Sequence, residues 1–264
     1  MKGKLGVICG GSGSSKLAGA VARYPPELDR EKIRFVANVA DNFWYHGLFV
    51  CPDVDIVTFA LSNLLDQSKG WGLQTDTLVS RRQISDLGIS EEWFSLGDKD
   101  FAFSIKRAEL LKKGWTLSSV TNYFCKAVKT AFSVVPATDD FLQSFIRTAQ
   151  GLMHLQEYWV KKRAGLEPLG INYVGLSTAI LTTTAAEACS NNVLICPGNP
   201  MTSILPIVNL RGFRKKLSCS KVIGISPFLG DKPFSGPAAR LMKAEKIEPN
   251  SFGVAKLYSD FLKI

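Results

Sequence analysis

Three aspartates, Asp41, Asp53 and Asp55, stand close together in the sequence: the first follows an apolar run, the other two follow Pro52 directly. Carboxylates gathered in this way can bind Mg²⁺ beside substrate phosphates or take a proton from a hydroxyl. Taken singly, Asp53 and Asp55 also read as acids complementing the positive end of a helix that begins near Pro52. The cluster as a whole points to chemistry. His46 lies among these aspartates, and the chain's other histidine, His154, reads as structural. Two histidines leave little room for a His-based metal centre or a Ser-His-Asp triad.

Upstream, Cys9-Gly10-Gly11-Ser12-Gly13-Ser14-Ser15-Lys16 forms a glycine-rich turn. Glycines let the backbone approach a phosphate, the N–H groups of a following helix supply donors, and Lys16 adds charge. The turn matches neither G-x-G-x-x-G nor the G-K-[ST] of a P-loop, so alone it admits several nucleotide classes or a plain tight turn. In Leu96-Gly97-Asp98-Lys99-Asp100, Asp98 can cap a helix with Asp100 in its first turn, while Lys99 can reach an anionic ligand. Trp71, between Gly70 and Gly72, and Tyr158-Trp159 fit either a core or the walls around a flat heterocycle.

The elements that must position these residues emerge from periodicity. An apolar run over 4–9, the glycine turn and a helix over 16–23 read as strand, turn, helix, with a second strand over 33–38 after Pro25-Pro26. A βαβ beginning of this kind predicts a parallel sheet. Helical spacing of Val54, Val57, Leu61, Leu64 and Leu65 places a helix from Pro52. Further helices are expected over 101–113 and 117–129, the latter capped by Thr116, and strands over 132–136, 141–148 and 152–160. The last third alternates again: strands at 193–196 and 221–225, helices at 212–217, 237–244 and 253–262. Its strands run into Pro197-Gly198-Asn199-Pro200 and Ser226-Pro227, which would share the carboxyl edge of the sheet with the glycine turn, where ligands collect. The expected architecture is one α/β domain over 1–264, a Rossmann-like, open, mostly parallel sheet flanked by helices, with a smaller inserted lobe around 100–165.

Composition bounds the rest. With 264 residues and 46 % hydrophobic content, the chain can bury a large core. No run is long and apolar enough to span a bilayer and no secretory signal opens the sequence, so a soluble, cytoplasmic protein without membrane partners is expected. The six cysteines form no C-x-x-C pair, which argues against a zinc ribbon and a disulfide framework. A formal charge of +9 attracts phosphates in general, but the short basic groups resemble helix ends more than a nucleic-acid stripe.

In this order, Gly-Gly-Ser-Gly, Asp41 to Gly47, Pro52-Asp53-Val54-Asp55, Gly70-Trp71-Gly72, the Gly97-Asp98 run, His154-Leu155-Gln156-Glu157-Tyr158, Gly198-Asn199-Pro200 and Ser226-Pro227 resemble one family over nearly the whole chain. The sequence is similar to the 2-phospho-L-lactate transferases of deazaflavin coenzyme F420 biosynthesis. The resemblance implies transfer of a 2-phospholactyl, phosphoenolpyruvyl or phosphoglyceryl group from a guanosine diphosphate carrier to the ribityl hydroxyl of a deazaflavin, with Mg²⁺ assisting, GMP leaving and a homodimer as the assembly. It implies that Asp41, Asp53 and Asp55 face the metal, the diphosphate and the acceptor hydroxyl, and that Lys99, His46 and Trp71 meet the acceptor. Gly11, Ser12, Gly13 and Lys16, with Asn199, Pro200 and Ser203, would hold the nucleotide, and Ser226, Gly236 and Arg240 would complete that side. Asn42, Ile56 and Phe103-Ser104 depart from the residues usual in the family, and Ile264 ends the chain where relatives typically continue.

Three other readings compete. Nucleotide-sugar-binding regulatory proteins share the glycine turn and the Asn-Pro loop, but lack the Gly-Trp-Gly and His-x-Gln-Glu-Tyr segments present here. A nucleic-acid module rests only on charge and predicts steeply salt-dependent binding. An NAD-dependent oxidoreductase would need a third glycine and an acid at the end of the second strand, and both are missing.

Overall fold

The computed structural model describes residues 4–23, 29–88, 93–230, 232–233 and 236–262. Pro25-Pro26 and Ile264 lie outside these. In chain order the elements begin β1 (Leu5–Cys9), α1 (Gly11–Arg23), β2 (Ile33–Ala37), β3 (Phe43–Tyr45), β4 (Leu48–Val50), α2 (Pro52–Leu61), α3 (Val79–Asp86), α4 (Asp98–Lys112) and α5 (Leu117–Ala127). Next come β5 (Ser133–Pro136), β6 (Gln143–Thr148), β7 (Gly151–His154), β8 (Pro168–Val174), α6 (Thr183–Ala188) and β9 (Asn192–Ile195). The chain continues through α7 (Leu205–Val208), α8 (Phe213–Leu217), β10 (Lys221–Gly224), the short pair β11 (Phe228–Leu229) and β12 (Lys232–Pro233), α9 (Ala238–Ala244) and α10 (Ser251–Leu257).

Strands β10-β9-β1-β2-β5 form a five-stranded sheet in that order, every neighbouring pair parallel. The central strands are apolar runs (β1 reads LGVIC), as strands covered on both faces must be. From β1 the chain steps to β2 and β5 on one side and later to β9 and β10 on the other, so the order reverses between β1 and β9. A crevice opens at such a switch point, beyond the carboxyl ends of the two strands. Smaller antiparallel sheets, β3-β4, β7-β6-β8 and β11-β12, lie outside this layer, while β5, within the stretch expected as a lobe, joins the central sheet.

Pro52 opens α2 with its missing N–H at no cost, and Thr116 caps α5 by accepting from the Ser119 N–H. Two expectations need correction. The helix after the glycine turn starts at Gly11, so the turn is the first turn of α1. The strand expected over 152–160 stops at His154, and residues Glu157–Lys161 wind into a wide helical turn in which the Lys162 N–H reaches back to the Glu157 carbonyl. Tyr158, Trp159 and Val160 are strong strand formers, but Tyr158 is fully buried and donates its hydroxyl to the Leu166 carbonyl (3.1 Å), so packing overrides propensity.

Among the described residues no helix is long and apolar enough to cross a membrane. All six cysteines are free thiols, and only Cys219 is exposed.

Candidate active site

The glycine turn ends β1 with Gly10 in a closely crowded position. A Cβ there would lie 2.6 Å from Asp53 Oδ2, 2.8 Å from the Ser203 Cβ and 2.9 Å from the Asn38 Cβ, so only glycine lets these three segments converge. At Gly13 a Cβ would run into the Pro197 carbonyl oxygen, which brings the start of α1 against the loop after β9. The turn and the Asn199 loop therefore do share the carboxyl edge of the sheet.

That loop is shaped by its own chemistry. Asn199 accepts from the Met201 N–H (3.0 Å), Pro200 starts the next turn, and the Leu205 N–H reaches the Pro200 carbonyl in a second wide helical turn over Pro200–Ile204. Wide turns of this kind are frequent at functional sites, where the extra residue re-aims side chains. Here both of them contribute to the same cleft.

The cleft measures about 470 Å³. Its floor is Gly11, Ser12, Gly13, Asp41 and Asp53, and its walls are Trp71 with Phe94 and Ser95, then Leu155, Gln156, Trp159 and Val160, and Asn199, Thr202 and Ser203 with Gly236 and Pro237. Asp41 and Asp53 are 6 % and 4 % exposed. Asp53 Oδ2 accepts from Asn38 Nδ2 (2.9 Å), and its carboxylate also takes the Gly11 N–H, whereas Asp41 Oδ1 is buried without a hydrogen-bond partner. Burial pushes the Asp53 carboxyl up to about 6, against the two hydrogen bonds that favour its ionised form. Burial raises Asp41 well above the ordinary carboxylate range, the Asp53 charge raises it further, and a hydrogen bond from Asn38 opposes both. Two neighbouring buried acids, one with an orphaned oxygen, are poised to gain from a cation or a proton donor.

Hard oxygen donors of this kind suit Mg²⁺, which is held by one or two carboxylates and completes its shell with substrate phosphates and water. Asp41 and Asp53 fit that role. Asp55 does not join them: its carboxylate pairs with Arg107, and among the described residues no group of three or more metal-ligating side chains comes together.

Trp71, Asn199, Ser203 and Gly236 line the cleft as well, and Pro200 is buried beside it. Others among the expected site residues stand elsewhere. Lys16 lines a separate depression with Arg23 and Asn63. Lys99 Nζ donates to the Gln74 carbonyl (2.9 Å) and to Thr75 Oγ1 (2.8 Å). His46 sits in the β3-β4 turn with its ring against Tyr45, Ser226 Oγ lies 2.7 Å from Ser251 Oγ, and Arg240 holds the Ala164 and Leu166 carbonyls and Glu167. Asp98 does cap a helix, but the one before its own: it accepts from the Val79 (2.9 Å) and Ser80 (2.8 Å) N–H groups at the start of α3. Asp100 then takes the Gly97 N–H at the start of α4. Thr202, Ser95 and Pro237 carried no signal in the sequence, because only tertiary folding brings them to the glycine turn.

Fold and cleft together define an α/β enzyme with a paired-acid site at its topological switch point. The profile of the family described as 2-phospho-L-lactate transferase CofD matches residues 6–259. The 2-phospho-L-lactate transferase of Methanosarcina mazei is 36 % identical over 260 residues, covering 98 % of this chain and 84 % of that one. The enzyme of the same name from Methanospirillum hungatei is 37 % identical over 259 residues, covering 97 % and 86 %. The phosphoenolpyruvate transferase of Streptomyces coelicolor is 31 % identical over 267 residues, covering 98 % and 83 %. The chain belongs to the 2-phospho-L-lactate transferase CofD family, as the resemblance read from its motifs implied. Its fold is shared by a Bacillus halodurans protein of known structure, with a TM-score of 0.61 at 15 % identity over 96 % of this chain and 78 % of that one.

Proposed function

We propose that this protein transfers a phosphate-linked three-carbon acid, 2-phospholactate or its phosphoenolpyruvyl or phosphoglyceryl relative, from a guanosine diphosphate carrier to the ribityl hydroxyl of a deazaflavin. The observation that carries this reading is the pair Asp41 and Asp53, buried side by side on the floor of a cleft whose edge is a glycine turn at a helix start. The names of the relatives supply the transferred group; the cleft supplies a chemistry that fits it.

The N–H groups of the first turn of α1 beyond Gly11, whose own N–H is given to Asp53, suit the diphosphate. Trp71 and Trp159 offer flat walls for a ring system. The acceptor oxygen attacks the phosphorus that bears the three-carbon group, the bond from that phosphorus to the bridging oxygen breaks, and GMP departs with the bridging oxygen. The hydroxyl proton passes to a carboxylate of the acid floor. Mg²⁺ held by Asp41 and Asp53 would neutralise charge on the diphosphate. Beyond that, such transfers depend on positioning more than on covalent work by the protein.

The test is one incubation of the protein, Mg²⁺ and the deazaflavin precursor with each guanylylated donor, followed by mass analysis of the acceptor. A mass gain with one donor names the group transferred. No gain with any donor, from folded protein that still binds guanine nucleotide, would instead favour a nucleotide-binding role without turnover.

A further inference from the structure

Asn38 ends the apolar run of β2 and is completely buried. Its backbone N–H continues the sheet to the Cys9 carbonyl (2.9 Å), which leaves its side chain aimed along the carboxyl edge. Nδ2 donates to Asp53 Oδ2 at 2.9 Å and to the Thr202 carbonyl at 3.1 Å, while Oδ1 accepts from the Ala40 N–H at 3.0 Å. This orientation is the only one that chemistry allows, because turning the amide over would set its oxygen against a carboxylate and a carbonyl. The amide is thus engaged at both ends, with Asp41 also within its reach, in a place where an unmade hydrogen bond is costly.

The two acceptors belong to different parts of the site. Asp53 stands at the start of α2 and is half of the acid pair; Thr202 lies in the wide turn Pro200–Ile204, whose neighbours Asn199 and Ser203 form the opposite wall. That turn is gripped once more by the Tyr173 hydroxyl, which donates to the Met201 carbonyl. Gly10 separates Asp53 from Ser203 with no room for a side chain, and Asn38 bonds to Asp53 on one side and to the Thr202 carbonyl on the other. It also commits one Asp53 oxygen to the protein.

We propose that Asn38 is a positioning residue that couples the acid floor of the cleft to its nucleotide wall, fixing Asp53 against the Pro200–Ile204 turn so that a nucleotide seated on the turn meets the carboxylate in one geometry. The inference rests on the reading of the cleft as a nucleotide site. It assigns Asn38 no contact with substrate.

The test uses the full chain with Asn38→Asp, which keeps size and the acceptor for Ala40 but loses both donors, and Asn38→Ser, which keeps the fold should the added charge prevent folding. Amide hydrogen exchange, GDP binding with Mg²⁺ by calorimetry, and kcat and KM are measured on each. The expected result is exchange about tenfold faster or more at Met201 to Leu205 with β1 unchanged, GDP affinity down about tenfold, and kcat down about 100-fold with the acceptor KM nearly constant. If a folded Asn38→Ser variant keeps GDP affinity and kcat within about twofold of the parent, or if exchange rises evenly through the whole sheet, the coupling role is overturned. Should the parent protein transfer nothing, the reaction reading fails, and the coupling still stands or falls on the exchange and GDP measurements.

Discussion

Arg107 closes on Asp55 two residues away from the acid floor of the cleft. The guanidinium is 1 % exposed, donates to Asp55 Oδ1 and to the Phe49 carbonyl (3.0 Å), and lies 5.5 Å over the Phe124 ring. One side chain of α4 thereby ties the start of α2 to β4. Burial still pushes the Asp55 carboxyl above its ordinary range, against the pull of the guanidinium. The pair sits in low dielectric, where losing one partner strands the other.

Replacing Arg107 by Met should therefore cost about 3–5 kcal/mol of stability, and adding Asp55→Asn to that variant should restore part of it. Urea unfolding of the two single variants and the double variant checks this. Equal and additive losses would show that the pair is not coupled.

Asp53→Asn and Asp41→Asn should each lower kcat by about 100-fold or more while the fold persists, since a positioned base is worth that much. The comparison of steady-state rates with thermal melting separates the two effects. A near-normal rate in either variant removes that residue from the chemistry.

Magnesium is expected to raise the melting temperature of the GDP-bound protein, by mass action on the folded state. Asp41→Asn should abolish the increment, and EDTA should abolish turnover. Differential scanning calorimetry with and without the cation measures both.

Asp100 gives a pH signature away from the cleft. Burial, with lesser help from the Asp55 and Asp76 charges, raises its carboxyl to about 7. A folded-state value above the unfolded one means stability that is complete below about 4 and is lost as pH rises through 7. Asp100→Asn keeps an acceptor for the Gly97 N–H without the titration. From pH 5 to pH 8 the parent should lose a few degrees of melting temperature more than this variant. His154, lowered by burial to about 4, shifts stability in the opposite direction but equally in both proteins.

Gly13→Ala should impair folding or GDP binding severely, because its methyl group would meet the Pro197 carbonyl. Ordinary GDP affinity in a folded Gly13→Ala protein would show that the loop after β9 can withdraw.

What the sequence made legible were the local signals: the glycines after β1, Pro52 at a helix start, Thr116 at a cap, and the alternation of strands and helices around a parallel sheet. The acid pair was legible because its members lie near each other along the chain. The position of Asp55 was not, since the guanidinium that claims it comes from 52 residues further on. Nor was the bond from Asn38 to Thr202, which spans 164 residues. Lys99 and Arg240 have the right charge for an anion site, yet both are engaged by carbonyl groups elsewhere. Residue type announces what a side chain can do, while tertiary contacts decide whom it meets.

The two wide helical turns carry a consequence for how this site tolerates change in length. Each closes its hydrogen bond over one residue more than an ordinary helix, so removing a single residue from Pro200–Ile204 would let the turn tighten into standard α-helix and re-aim the side chains within it. Thr202 or Ser203 would then leave the cleft without any change in the sheet beneath. A change of length here would act on the cleft wall directly, through the aim of Thr202 and Ser203.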